Sequence, residues 1–94
     1  MAKWNYTLRW GKQLREAIKA EDTTMVVKCL ICCYRELLNK LSDEDMDDYK
    51  FDIEETIEIL MFYEADPDDE DNVDYYLSEF YDMCDDLRAW VAVD

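Results

Sequence analysis

The sequence predicts an all-α protein: a small antiparallel helical bundle of about four helices, folded as a single domain over residues 1–94. Three observations lead there. Gly and Pro occur once each, at Gly11 and Pro67, whereas all-β designs need many tight turns and the residues that make them. Half of the residues are apolar, which supplies a core and sets the chain apart from disordered sequences. The apolar residues recur at three- and four-residue spacing in four successive stretches, the period of a helix. A chain of this size buries roughly 60–65% of its unfolded surface. That is room for one modest core, without an obvious deep catalytic cleft.

The first helix is expected from about Thr7 to Ala20. Trp10, Leu14, Ala17 and Ile18 fall on one side, and Arg9, Lys12, Glu16 and Lys19 on the other. Glu21-Asp22-Thr23-Thr24 then breaks the pattern and offers N-cap residues. The second helix is expected from about Thr24 to Leu41. Its main stripe is Val26, Leu30, Cys33, Leu37 and Leu41, widened by Cys29, Ile31, Tyr34 and Leu38; so broad a belt marks the most buried helix. The third begins after Ser42, which stands three residues before Asp45 in the spacing of a capping box. Asp43, Glu44 and Asp45 fall in its first turn, where the helix dipole favours negative charge. Its stripe is Met46, Tyr49, Ile53, Ile57, Leu60 and Met61, ending near Glu64. The last helix is expected from about Asn72 to Val91, capped by Asp71 or Asn72. Val73, Tyr76, Leu77, Phe80, Cys84, Leu87 and Val91 form its inner face. The alternative is three helices behind an irregular first segment.

Charge is the distinctive feature. The net charge is −15 and there is no histidine. Residues 1–41 hold eight Lys and Arg against four acids, a net of +4; residues 42–94 hold two against twenty-one, a net of −19. Such asymmetry points to an electrostatic partner. An acidic surface repels nucleic acid and anionic membranes and attracts basic proteins, including those that hold nucleic acid.

The acids are segregated. The outward side of the third helix carries Glu44, Asp47, Asp48, Glu55 and Glu58, with Phe51 and Phe62 among them. The outward side of the fourth carries Asp74, Tyr75, Asp82 and Asp85, flanked by Glu79 and Asp86. The turn between them adds Asp66, Asp68, Asp69, Glu70 and Asp71. Carboxylates three or four residues apart on a helix stand roughly 4.5–6 Å apart along its axis. That is the order of the phosphate repeat, about 3.4 Å of axis per charge on each strand. Aromatic side chains are common interface anchors. The expected partner-binding set is therefore Asp48, Glu55, Glu58, Asp66, Asp68, Asp69, Glu70, Asp71, Asp74, Asp82, Asp85, Asp86, Phe51, Phe62 and Tyr75. The bland reading of the same acids is a solvated coat that keeps a small apolar protein dispersed.

Other chemistry is less well supplied. Cys29, Cys32 and Cys33 contain a C-x-x-C, but a structural zinc site wants four ligands. Cys84 is the only further thiol, and Cys33 and Cys84 lie on core stripes. Asp68, Glu70, Asn72 and Glu79 echo an EF-hand loop, yet Val73 replaces its glycine and the helical pattern runs from Asn72. No metal, cofactor or catalytic residue is expected, and the chain reads as a non-enzyme. The opening MAKWNYTLRWGKQ has no apolar core of a signal peptide. The longest apolar runs are too short for a bilayer, so a reducing, cytoplasmic setting is expected.

In size and charge pattern, carried by DEDMDDYKFDIEETIE and EADPDDEDNVDYYLSEFYDMCDD, the chain resembles small acidic proteins encoded by phages and mobile elements. Some of these, anti-CRISPR proteins and DNA mimics among them, block nucleic-acid-binding machinery. Small acidic helical immunity proteins that cap basic nuclease toxins are similar in the same respects. The resemblance implies an inhibitor in the host cytoplasm. Its acidic faces would occupy the basic groove of a nucleic-acid-binding protein, with no direct contact to nucleic acid or membrane. The competing expectation is a helical interaction or adaptor module, with a homodimer as one form of it, whose acids serve solubility.

Overall fold

A computed structural model describes residues 5–65 and 70–91 of the chain. Four helices carry the fold: α1 (Gly11–Lys19), α2 (Thr23–Lys40), α3 (Asp43–Ala65) and α4 (Glu70–Leu87). Two three-residue strands, β1 (Tyr6–Leu8) and β2 (Ala89–Val91), pair in parallel and join the start of the chain to its end. The register sets Tyr6 opposite Ala89 and Leu8 opposite Val91.

Helix α2 is the hub. It packs most extensively on α3 and α1, and also on α4 and β1. Val26, Val27, Cys29, Leu30, Ile31, Cys33, Tyr34 and Leu37 are all buried, as the breadth of its apolar belt requires. Asp22 caps it, its carboxylate accepting the Met25 N–H at 3.2 Å. Leu41 and Ser42 turn the chain back into α3, and the Ser42 hydroxyl accepts the Asp45 N–H at 3.3 Å, the N-cap half of the expected box. Ile53, Ile57 and Leu60 bury one side of α3, and Val73, Phe80, Cys84 and Leu87 bury one side of α4. The edge of the Tyr34 ring meets Phe80, with centroids 5.1 Å apart. All these side chains belong to one contiguous core.

Both ends of the chain differ from the helical expectation. Thr7–Trp10 is strand and turn rather than helix. Leu8 is fully buried, while Trp10, expected in the core, is 43% exposed. The turn into α1 is fastened from α2: the Glu36 carboxylate accepts the backbone N–H groups of Arg9 (2.8 and 2.9 Å) and Trp10 (3.2 Å) and pairs with Lys40 at 2.8 Å. It thereby replaces a side-chain cap, which α1 lacks at Trp10. Lys40 also donates to the Thr7 carbonyl. The Tyr6 hydroxyl donates to Asp45 at 2.5 Å and accepts the Ser42 N–H at 3.1 Å, tying β1 to the head of α3.

At the far end, α4 stops at Leu87 instead of running to Val91. Arg88 turns left-handed (φ 55°), and its carbonyl accepts the Asn5 N–H at 2.8 Å. Val91 therefore belongs to β2. Asp71 and Asn72 lie inside α4 rather than ahead of its start, and Met61 is 49% exposed rather than core. Among the described residues no helix is long and apolar enough to cross a membrane.

Candidate functional site

The core stripe of α3 fixes where its acids go. Ile53, Ile57 and Leu60 face α2, so the residues on the opposite side must stand in solvent. Glu44, Asp47, Asp48, Phe51, Glu55, Glu58 and Phe62 are all exposed. The outward side resolves into two rows at seven-residue spacing: Glu44, Phe51 and Glu58, and beside it Asp48, Glu55 and Phe62. Phe51 and Phe62 lie about three turns, or roughly 16 Å, apart along the axis, with carboxylates between and around them. They are 76% and 74% exposed.

Helix α4 repeats the theme. Its inner residues Val73, Phe80, Cys84 and Leu87 are buried, and Asp74, Glu79, Asp82, Asp85 and Asp86 are exposed. Tyr75 is 57% exposed and sets its ring edge-on to Tyr76, with centroids 5.2 Å apart. The Glu79 carboxylate beside the Tyr75 hydroxyl, by hydrogen bonding and by charge, pushes that phenol up. Glu70 and Asp71 open the first turn of α4, where the dipole favours negative charge. Asp66, Asp68 and Asp69 lie outside the described residues.

Between α3 and α4 runs an open groove of about 270 Å³. The two helices barely touch directly, because each packs on α2. The groove is walled by Asp52, Glu55 and Ile59 on one side and by Tyr75, Tyr76, Glu79 and Met83 on the other, with Tyr34 of α2 between them. Helical periodicity could not have located it. Its signal is spatial: Tyr34 of α2 lines it together with residues of α3 and α4.

Two further recesses differ in character. A cavity of about 510 Å³ lies where α1, α2 and α4 approach; it is lined by Ile18, Val26, Val73 and Leu77, with Glu21 and Asp74 at its edge. A recess of about 340 Å³ on α1 and α2 is bordered by Trp10, Ala17, Ala20, Met25 and Cys29.

Cys29, Cys33 and Cys84 are buried and Cys32 is half-buried. Burial pushes the Cys84 thiol up to about 12 and raises Cys33 as well, with further upward pushes on Cys33 from Cys84 and Cys29. These thiols are therefore neutral core groups at ordinary pH. Among the described residues no polar or charged residue is buried, and no group of three or more His, Cys, Asp or Glu could hold a metal ion. Of the calcium-loop echo, Asp68 lies outside the described residues. Glu70, Asn72 and Glu79 sit along the continuous α4 helix rather than on a loop.

No protein-family model, no curated protein and no solved structure matches this chain.

Proposed function

We propose that the chain is a non-enzymatic acidic inhibitor that binds and blocks a basic, nucleic-acid-binding protein, in the phosphate-mimicking manner of anti-CRISPR-like proteins. The observation that carries this reading is the placement of Phe51 and Phe62, three-quarters exposed, within the carboxylate rows of α3. A coat that serves only solubility gains nothing from large bare aromatic rings, whereas an interface needs buried anchors inside a complementary field. The carboxylates of α3 and α4 supply long-range attraction, which speeds encounter with a basic groove. Phe51, Phe62 and Tyr75 supply short-range contact once the groove is reached.

A second reading, a helical adaptor or homodimer, draws on a different observation: the apolar recess bordered by the exposed Trp10 and Met25 on α1 and α2. The two separate by salt. Attraction between exposed charges weakens once the screening length falls from about 10 Å at 0.1 M to about 3 Å at 1 M; apolar contact does not. The test is capture on the immobilised chain from a lysate of its source cell, freed of nucleic acid and eluted in rising salt. A basic nucleic-acid-binding protein released as salt rises supports the inhibitor. Recovery of only the chain itself, or of a neutral protein held through high salt, contradicts it.

A further inference from the structure

We infer that the apolar recess on α1 and α2 is where a second copy of this chain docks, reciprocally about a two-fold axis. This deepens the homodimer reading by naming the surface, and it does not rest on the inhibitor reading. The recess holds about 340 Å³. Buried Ala17 and Cys29 lie among its lining, and Trp10 and Met25 stand at its border, 43% and 45% exposed. Single exposed apolar residues are ordinary, but Trp and Met bordering one recess are residue types enriched in interface cores. Charge decides which partner fits. Helix α3 holds ten acids to one lysine, and α4 holds seven acids to no lysine or arginine, so two copies meeting there would press like charges together. Residues 10–29, which include every residue lining the recess, hold four Lys and Arg against three acids, a net of +1. Both signs are exposed there: Lys12 and Lys19 stand one turn to either side of Glu16 on α1, and Asp22 follows at the head of α2. A two-fold pairing sets a surface against itself, and only a surface carrying both signs can then place cations opposite acids. Among the described residues the lining takes nothing from α3 or α4. The acidic faces of both helices therefore stay outside this interface, and one dimer presents two ridges.

The test weighs the full purified chain by sedimentation velocity across a hundredfold range of concentration, at about 0.1 M and about 1 M salt. The mass should move from the 11.3 kDa of one chain toward twice that as concentration rises. Two chains of net charge −15 repel each other, and screening removes that cost. The dissociation constant should therefore fall at least threefold at the higher salt, opposite to the salt response of a basic partner. Met25→Lys and Ala20→Arg each put a long cation among the exposed residues lining the recess. Each should weaken the dimer at least tenfold while the circular dichroism of the helices stays unchanged. Phe51→Ala with Phe62→Ala should change it less than threefold. A mass of one chain at every concentration would overturn the inference and leave the recess to a different protein. A dimer that dissolves at high salt, or that survives both recess variants, would overturn it too. A dimer that leaves nucleic acid on a captured basic protein sinks only the inhibitor reading. A chain that displaces the nucleic acid and stays monomeric sinks only the dimer.

Discussion

Removing acids from α3 should make the protein more stable. Asp48 stands one turn from both Glu44 and Asp52 and three residues from Asp45, and Glu58 stands one turn from Glu54 and three residues from Glu55. Both side chains are exposed and lie beyond the first helical turn, where the dipole no longer rewards negative charge. Each like-charge pair at these spacings costs roughly 0.2–0.5 kcal/mol. Asp48→Asn with Glu58→Gln relieves five such pairs, so the double variant should gain about 1–2 kcal/mol. For a domain of this size that is a rise of roughly 5–15 °C in melting temperature. The assay is thermal unfolding followed by circular dichroism in low-salt buffer and again at 1 M salt, where screening is nearly complete. The gain should be present at low salt and shrink by more than half at 1 M. A variant that melts lower than the parent, or a gain undiminished at 1 M, would refute the claim that the ridge is held against its own repulsion.

Phe51→Ala and Phe62→Ala should each leave stability within about 0.5 kcal/mol in urea unfolding, because the rings are mostly in water, yet weaken partner capture. Ile53→Ala, at a fully buried site on the same helix, should cost about 2–4 kcal/mol. Burial alone would raise the Glu36 carboxyl, but hydrogen bonds from Lys40 and from the Arg9 and Trp10 N–H groups outweigh it and hold the group below the usual range. A carboxyl with a depressed folded value contributes stability at pH above the unfolded value, about 4.3, and loses it as pH falls through the folded value. The stability gap between the parent and Glu36→Gln, about 1–2 kcal/mol, should therefore be flat from pH 5 to 7 and close at lower pH in urea titrations. Glu21 holds φ 55° just after α1, with its N–H donating to the Ile18 carbonyl at 3.1 Å and the Asp22 N–H to Ala17 at 3.1 Å. A left-handed residue with these bonds is the usual helix stop, a place for glycine, so Glu21→Gly should raise stability by roughly 0.5–1 kcal/mol.

The sequence was most readable where short-range pattern and tertiary contact agree. The broad belt of α2 and the Ser42 cap of α3 located both helices to within a residue or two. The two strands were not readable, because each is three residues long and held by a partner more than eighty positions away. Local spacing could not separate strand from helix there: Val91 sits four residues after Leu87, a helical interval, until Arg88 turns left-handed. Trp10 followed the same false period, while Leu8 is the residue that enters the core. The acidic faces of α3 and α4 follow directly from their core stripes, so their exposed members were legible residue by residue. The groove lined by Tyr34 was not, since its lining comes from three helices, α2, α3 and α4.

The central claim is that the ridge of α3, acids and phenylalanines together, competes with nucleic acid for a basic protein. The most direct measurement uses the captured partner bound to a fluorescent duplex or single strand, with anisotropy read as the chain is added. Displacement at near-stoichiometric amounts is expected, weakening steeply with salt and falling at least tenfold for Phe51→Ala with Phe62→Ala. A partner that keeps its nucleic acid while binding the chain, or displacement unaltered by loss of both rings, would contradict it.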